Sequence, residues 1–198
     1  MSATTAGRAA APGRARTGST TRARGGTLWL TGLSGSGKTT VANALAVALA
    51  PTRPVEVLDG DDLREHLSPG LGFTRTDRAA HVTRVGYLAR LLARHGVLAI
   101  VPVIAPYDDV REAIRVEHEA EGLPFRLVHV ATPLDECSRR DVKGLYAGHA
   151  AGTVRNLTGV DDPYDVPSRP DLVLDTTGQK VAASAATVVA HLKEAGLA

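Results

Sequence analysis

Cysteine, aromatic residues and long apolar runs are all scarce in this sequence of 198 residues. Cys137 is the single cysteine, so no disulfide can form within the chain, and this composition is typical of a reducing compartment. No apolar run approaches the ~18 residues that a membrane-spanning helix needs. We therefore predict a cytoplasmic protein with no disulfide framework and no membrane contact. The histidines show no zinc-ligand spacing.

Acidic residues are missing from the first 26 residues, which contain five arginines. Without that segment the chain holds 18 basic and 21 acidic residues, a net charge of −3, so no nucleic-acid-binding face is predicted. The segment lacks the apolar stretch of a secretory signal. Its arginine, serine and threonine content resembles a transit peptide, but its low hydrophobicity favours a disordered N-terminal tail over residues 1–26. Residues 27–198 are long enough for a single folded domain.

Apolar runs typical of strands alternate with helical patterns, which predicts an α/β fold with a mostly parallel five-stranded sheet and helices on both faces. The strands are predicted at residues 27–31, 55–59, 97–103, 125–130 and 171–176. The helices are predicted at residues 38–50, 76–95, 108–121 and 182–192, with a further short helix around Cys137. Residues 140–170 lack periodicity and are rich in Gly, Asp, Pro and Arg, which is typical of a functional or a disordered segment.

The stretch TGLSGSGKTT, residues 31–40, separates the first predicted strand from the first predicted helix. It fits the pattern G-x-x-x-x-G-K-[ST], in which glycines let successive N–H groups converge on phosphate oxygens at the positive end of a helix dipole. Lys38 is expected to neutralise the β- and γ-phosphates, and the Thr39 hydroxyl to ligate Mg²⁺. The chain has no N-K-x-D sequence of the guanine-specific kind, which favours ATP. The predicted ATP-phosphate residues are Gly32, Ser34, Gly35, Ser36, Gly37, Lys38, Thr39 and Thr40.

Four further motifs follow this phosphate-binding loop: LDGDDLR at 58–64, LGFTRTDR at 71–78, RDVKGLY at 140–146 and LTGVDDPYDVP at 157–167. Together they resemble the adenylylsulfate kinase family, from about residue 28 to the C-terminus. The resemblance implies a P-loop kinase-type three-layer fold with a mobile lid. It implies Mg²⁺-dependent transfer of the γ-phosphoryl group of ATP to the 3′-hydroxyl of adenosine 5′-phosphosulfate (APS), a small-molecule substrate. It leaves a homodimer open, because the family tends towards dimers.

The carboxylates of Asp59 and Asp61 follow the second predicted strand, at the sheet edge where ligands bind in such folds. A carboxylate there can orient an acceptor hydroxyl or hold metal-bound water, and the resemblance gives this catalytic role to Asp61. Arg140 and Lys143 open the irregular segment, so residues 140–166 are predicted to form the lid. Its closure would bring cations over the transferring phosphoryl group and expel water, with Arg140 acting in catalysis beside the P-loop lysine.

The resemblance also implies an acceptor site. Arg64 and Arg78 carry planar forks suited to the phosphosulfate group, and Phe73 is expected to stack on the adenine of the acceptor. The full set of predicted acceptor residues is Asp59, Arg64, Phe73, Arg78, His81, Ile104, Ala105, Lys143, Leu145 and Leu157.

Four positions depart from the family pattern, and all of them fall on the acceptor side of the site that the resemblance implies. His81 replaces an asparagine that contacts the acceptor, Thr83 replaces an arginine, Ala105 replaces a serine, and Leu157 replaces an aromatic residue. That serine is the residue modified in members that form a phosphoenzyme, so Ala105 excludes such an intermediate at this position. Two alternatives therefore stay open: a related kinase that phosphorylates another nucleotide-like or specialised-metabolite hydroxyl, and a non-catalytic ATP-binding switch or partner subunit.

Overall fold

A parallel sheet forms the centre of the protein in the computed structural model, which describes residues 24–198. Its strands are β1 (Gly26–Thr31), β2 (Val55–Val57), β3 (Leu98–Pro102), β4 (Phe125–Val130) and β5 (Leu172–Leu174). They lie in the order β2-β3-β1-β4-β5, and every pairing is parallel. The predicted α/β class is confirmed, and the sheet is fully rather than mostly parallel.

Helices cover both faces of this sheet. Within residues 24–198 they are α1 (Lys38–Leu49), α2 (Gly60–Leu67), α3 (Arg75–Arg94), α4 (Asp108–Ala120), α5 (Leu134–Arg140), α6 (Leu145–Ala150) and α7 (Val181–Glu194). The predicted helices correspond to α1, α3, α4, α5 and α7, with boundaries that differ by one or two residues at most where a range was predicted.

Alternate side chains of β1 pack into two separate apolar layers, because successive side chains of a strand point to opposite faces of the sheet. Leu28 and Leu30 pack with α1 and α7, whereas Trp29 packs with α3 and α4 on the other face. All three side chains are fully buried. The predicted three-layer arrangement is therefore confirmed. None of the helices within residues 24–198 has the length and apolarity required to cross a membrane.

The edge strands β2 and β5 are shorter than their predicted ranges. The predicted second strand extended to Asp59, but this residue caps α2 and its carboxylate accepts a hydrogen bond from the N–H of Asp61 at 3.0 Å. The predicted fifth strand extended to Thr176, whose hydroxyl instead donates to the carbonyl of Ser36 at 2.9 Å. Each of these polar residues lies outside the sheet and forms a side-chain hydrogen bond elsewhere, Asp59 to α2 and Thr176 to the loop after β1.

Two helices, α2 and α6, were not predicted. The helix α2 carries only two large apolar side chains, Leu63 and Leu67, and none of its residues is fully buried, so its apolar pattern is too short to predict a helix. Its acidic N-cap, Asp59, marks its beginning. The six-residue helix α6 lies inside the segment that was predicted to be irregular.

An N-terminal tail was predicted over residues 1–26, and residues 1–23 of it lie outside the described residues. From there the chain enters the fold directly, because β1 begins at Gly26. Arg53 joins the beginning and the end of the described part of the chain at this edge: its guanidinium donates to the carbonyls of Arg24 and Leu197, each at 2.6 Å. The chain therefore enters the sheet at the edge opposite to the phosphate-binding loop, which follows the other end of β1.

His118 of α4 lies fully buried against β1. Its Nδ1 is 2.8 Å from the carbonyl of Ile114 and its Nε2 is 3.0 Å from the hydroxyl of Thr27. The carbonyl can only accept, so Nδ1 carries the proton and Nε2 accepts from the threonine. Burial holds the ring neutral by lowering the pKa of His118.

We expect acid to destabilise the fold in part through His118. Below the ordinary histidine pKa of ~6.5 the unfolded chain takes up a proton before the folded chain does, so stability falls between pH 7.5 and 5.5. This residue should contribute up to about 1.4 kcal/mol of that loss. Urea denaturation at both pH values should show a flatter dependence in His118→Gln but not in His66→Gln, an exposed histidine whose pKa is raised by its contacts with Asp62. An unchanged dependence in His118→Gln would contradict this assignment.

Candidate active site

A cavity of about 270 Å³ opens at the carboxyl edge of the sheet, where the ends of β1, β2 and β3 meet. Most of the predicted site residues line it together. These are Ser34, Gly35, Gly37, Lys38, Thr39, Thr40, Asp59, Asp61, Arg64, Phe73, Arg78, His81, Ile104, Ala105, Arg140 and Lys143. One side of the cavity is formed by the phosphate-binding loop and the other by α2, α3 and the residues after β3.

The phosphate-binding loop is held from behind by its neighbours. Ser36 is fully buried, and its carbonyl accepts hydrogen bonds from the hydroxyls of Thr132 at 3.0 Å and Thr176 at 2.9 Å. A Cβ on Gly32 would lie 2.4 Å from the carbonyl oxygen of Val130, so only glycine fits there. Gly32 and Ser36 thus shape the loop rather than line the cavity.

Lys38 begins α1 and is almost completely buried beneath this loop. Its ammonium group donates to the carbonyl of Leu33 at 2.7 Å. Burial, followed by the nearby cation of Lys143, lowers the pKa of Lys38 to about 8. A phosphate anion near this ammonium group would favour the charged form, so Lys38 is poised to bind one.

Two oxygen donors lie side by side near the N-terminus of α1. The hydroxyl of Thr39 donates to a carboxylate oxygen of Asp59 at 2.9 Å, and both side chains line the cavity. The other carboxylate oxygen of Asp59 caps α2. The capping interaction therefore fixes the Asp59 carboxylate beside the threonine.

Asp61 is the second residue of α2 and forms an ion pair with Lys143, which reaches across from the predicted lid. The two side chains are 73% and 53% exposed, so solvent screens the pair and its contribution to stability is at most about 1 kcal/mol. A weak pair of this kind can be exchanged for a substrate at little cost.

Arg140 points its guanidinium into the protein rather than into free space. It donates to Glu136 at 2.8 Å, to the carbonyl and hydroxyl of Thr176 at 3.0 and 2.8 Å, and to the carbonyl of Gly35 at 3.3 Å. Arg139 and Arg140 lower the pKa of Glu136 to about 2, so the acid is ionised at neutral pH. Arg140 lines the cavity while it also holds the phosphate-binding loop to α5.

Phe73 stands on the opposite wall between two cations. The guanidinium carbons of Arg64 and Arg78 lie 4.5 and 5.3 Å from the centre of its ring, and the ring is 58% exposed. Burial, followed by the nearby charge of Arg78, lowers the pKa of Arg64. Two cations held this close would be stabilised by an anion, and an exposed ring between them offers a flat surface for a base.

Arg78 is held in this place by a distant segment of the chain. Its guanidinium donates to the carbonyl of Asn156 at 2.6 Å and to the hydroxyl of Thr158 at 3.0 Å, and it forms an ion pair with Asp162 at 3.4 Å. The L-T-G-V-D-D-P-Y motif therefore supports an arginine of the cavity wall.

His81 lines the cavity, but both of its ring nitrogens are already engaged. Nδ1 lies 2.9 Å from the hydroxyl of Ser68 and Nε2 lies 3.2 Å from the carbonyl of Gly60. The carbonyl requires Nε2 to carry the proton, so Nδ1 accepts from the serine. Burial, followed by the charge of Arg64, lowers the pKa of His81 and keeps the ring neutral. His81 therefore joins α3 to the first residue of α2, next to Asp61.

Two of the predicted acceptor residues and one further departure from the family pattern lie away from the cavity. Leu157 is buried in a small apolar cluster with Cys137 and Tyr146, and Leu145 packs against the same cluster. Thr83 lies on the exposed side of α3. Of the four departures from the family pattern, His81 and Ala105 reach the cavity and the other two do not.

Several residues of this site were missed from the sequence. Tyr146 donates its hydroxyl to the carbonyl of Ser34 at 2.9 Å, and Thr132 and Thr176 hold the loop as described. Val142 and Val103 add apolar surface to the cavity. The two threonines lie two residues beyond the ends of β4 and β5, and the predicted fifth strand still included Thr176. No local pattern marks a residue that contacts a loop more than 90 positions away.

Comparison with known proteins agrees with this site. The family model of adenylylsulphate kinase matches residues 24–175. The adenylyl-sulfate kinase of Myxococcus xanthus is 48% identical over 176 residues, which cover 89% of this chain and 95% of that protein. The structure of the Mycobacterium tuberculosis APS kinase CysC in complex with AMPPNP and APS superposes with a TM-score of 0.82 at 42% identity, over 86% of this chain and 99% of that one.

A more distant likeness concerns the fold alone: a gluconokinase from Sinorhizobium meliloti is 21% identical with a TM-score of 0.54, over 88% of this chain and 95% of that one. The adenylylsulfate kinases are 48% and 42% identical over most of this chain, and the residues that the family model matches include both walls of the cavity. The predicted family is confirmed: this chain belongs to the adenylylsulfate kinase family.

Proposed function

We propose that this chain transfers the γ-phosphoryl group of ATP to the 3′-hydroxyl of APS. The observation that supports this best is the opposition of two anion sites across one cavity. The phosphate-binding loop with Lys38 suits a triphosphate, and Phe73 between Arg64 and Arg78 suits a planar base that carries an anionic group. The Mycobacterium tuberculosis relative was solved with AMPPNP and APS together, which is the pair of ligands that these two walls would accept.

Phosphoryl transfer depends mainly on the positioning of the reacting groups and on the stabilisation of negative charge on the phosphoryl oxygens. The bond between the γ-phosphorus and its bridging oxygen breaks while the 3′-oxygen of the acceptor bonds to the same phosphorus. Asp61 is placed to orient the acceptor hydroxyl and to take its proton, since its carboxylate is exposed to the cavity. Lys143, released from Asp61, would then contact the transferring phosphoryl oxygens, and Lys38 would neutralise the donor phosphates.

The residues beside α1 fit Mg²⁺. Thr39 and Asp59 present oxygen atoms 2.9 Å apart at the cavity, which is the donor type that Mg²⁺ prefers when substrate phosphates and waters complete its shell. Asp59, rather than Asp61, is the carboxylate next to the threonine, so we assign it to the metal-bound water. Mg²⁺ bound there would neutralise charge on the β- and γ-phosphates.

The cytoplasmic location and the homodimer stay predictions. Cys137 is a buried free thiol in the structure, which is compatible with a reducing compartment. Sedimentation of the full chain would measure its oligomeric state directly.

Production of ADP from Mg-ATP should increase strongly when APS is added at micromolar concentration. The reason is that an acceptor is needed to displace Lys143 from Asp61 and to place a hydroxyl at the donor phosphate. A coupled assay measures the rate with and without APS, with Lys38→Ala as the blank. ATP binding without APS stimulation would point to another acceptor hydroxyl, and slow hydrolysis that APS leaves unchanged would favour an ATP-binding switch.

Binding of ATP should take up protons near pH 8, because the pKa of Lys38 is about 8 in the free protein and rises when phosphate binds. About half of the lysine is neutral at pH 8, so affinity should fall roughly fivefold between pH 8 and 9. Calorimetry in two buffers of different ionisation enthalpy measures the uptake. Lys38→Arg is the matched control, since arginine stays charged throughout. The same uptake in that variant would assign the protons to another group.

The KM for APS should rise as the pH falls from 7.5 to 5.5, at saturating ATP. Protonation turns Nδ1 of His81 into a donor, so it can no longer accept from Ser68, and the contact that holds α2 is disturbed. Burial first, and then the charges of Arg64 and Arg84, lower the pKa of His81, while the Gly60 carbonyl and Asp61 act in the opposite direction, so the change should occur below pH 6.5. In His81→Asn the KM should vary less over this range. An equal rise in both proteins would show that His81 does not carry the effect.

A further inference from the structure

The turn that follows β3 is strained at the point where it lines the cavity. Ala105 has a φ of +43°, in the left-handed region that non-glycine residues rarely adopt. The next residue is Pro106, and a residue before proline is normally held to extended conformations. Ala105 is 2% exposed, and it lines the acceptor half of the cavity together with Ile104 and Pro106. A strained conformation persists only where its surroundings hold it in place.

Each carbonyl of this turn is held by a separate donor. The hydroxyl of Thr31 donates to the carbonyl of Ile104 at 2.5 Å. The N–H of Asp165 donates to the carbonyl of Pro106 at 2.8 Å. Between them, the guanidinium of Arg111 donates to the carbonyl of Ala105 at 2.6 Å. Of the three donors, only this one acts on the residue with positive φ.

Arg111 is fully buried, although it is charged. Its second terminal nitrogen donates to the carboxylate of Asp108 at 2.8 Å and to the carbonyl of Asp165 at 2.6 Å, while its Nε has no hydrogen-bond partner. Burying a cation is costly even when it is paired, and an apolar side chain would fill the same space without that cost. The planar fork of arginine, in contrast, reaches the turn and the segment at residue 165 at the same time.

We propose that Arg111 is a positioning residue for the acceptor: it holds Ala105 in the left-handed conformation and thereby fixes the wall that Ile104, Ala105 and Pro106 present to the acceptor. The role is distinct from a contribution to stability alone, because the carbonyl that Arg111 binds belongs to the cavity wall. The positioning role rests on the proposed function, because that function identifies the acceptor as APS. The link between Arg111 and the strained turn is independent of the proposed function.

Arg111→Lys should raise the KM for APS by about tenfold or more, with a smaller change in kcat. The Kd for AMPPNP should stay within about twofold, because Arg111 bonds only to Ala105, Asp108 and Asp165 and to no residue of the phosphate-binding loop. Arg115→Lys is the matched control. Arg115 is also a buried arginine of α4, but it bonds to Asp171 and to the carbonyl of Arg169, away from the cavity. The Arg115→Lys substitution should lower the melting temperature of the protein without raising the KM for APS.

Ala105→Gly provides a second test, because glycine adopts positive φ without strain. An ordinary Ala→Gly substitution lowers the folding equilibrium constant roughly two- to fivefold. In Ala105→Gly the folding equilibrium constant should be unchanged or higher than in the parent protein. In the double variant Arg111→Lys/Ala105→Gly, the KM for APS should return at least threefold towards the parent value, since the turn no longer needs to be held against strain.

These outcomes separate the two proposals. If APS does not stimulate the parent chain, the proposed function fails, while urea denaturation of the four proteins of the Arg111/Ala105 cycle still tests the coupling between the two residues. Equal increases in KM for Arg111→Lys and Arg115→Lys, or no rescue by Ala105→Gly together with an ordinary loss of stability in that variant, would overturn the positioning role.

Discussion

The carbonyl of Ser36 is the point on which the rest of the site depends. Two hydroxyls, from Thr132 after β4 and Thr176 after β5, converge on it within 3.0 Å. With its carbonyl bound from behind, the loop can turn its N–H groups towards the cavity, which is what a phosphate site requires. Arg140 bonds to the same Thr176, so α5 and the segment after it are aligned on this contact as well. The loop thus takes its shape from three separate parts of the chain, although its own sequence is local.

The two halves of the cavity are built in different ways. The donor half consists of backbone at the end of the central strand, supported by hydroxyls and by glycines that no side chain could replace. The acceptor half consists of parts held by supporting side-chain contacts: Arg78 by the distant residues Asn156 and Thr158, and the turn at Ala105 by Arg111 of the helix that follows it. Changes in the segment around residue 157 therefore reach the acceptor through supporting contacts. Leu157 is an example, since it packs in a buried cluster rather than against the cavity.

The strands, most of the helices and the phosphate-binding loop could be predicted because each rests on a local pattern of apolar spacing or glycine. The helix α2 could not, since it has only eight residues, none of them fully buried, and Leu63 and Leu67 alone form its apolar side. The inward orientation of His81 depends on Ser68 and Gly60, and the role of Arg111 depends on the conformation of Ala105. Such pairings follow from how the elements pack, so a single sequence carries no sign of them. The family resemblance located the cavity residues well, but it could not tell which of them contact the cavity and which support it.

The segment predicted to be one lid consists of parts with different attachments. From Asn156 onwards it is fixed to the body, by Arg78 near Thr158 and by Arg111 near Asp165. Its middle, α6, is anchored where Tyr146 bonds to the phosphate-binding loop. Between α5 and α6, however, the bend at residues 142–144 has Val142 80% exposed and meets the cavity through the screened pair of Lys143 with Asp61. Rearranging this bend breaks few buried contacts, whereas lifting the whole of residues 140–166 would break many. Lys143, which we propose contacts the transferring phosphoryl group, is therefore carried by the part of the segment that can adjust at the lowest cost in free energy.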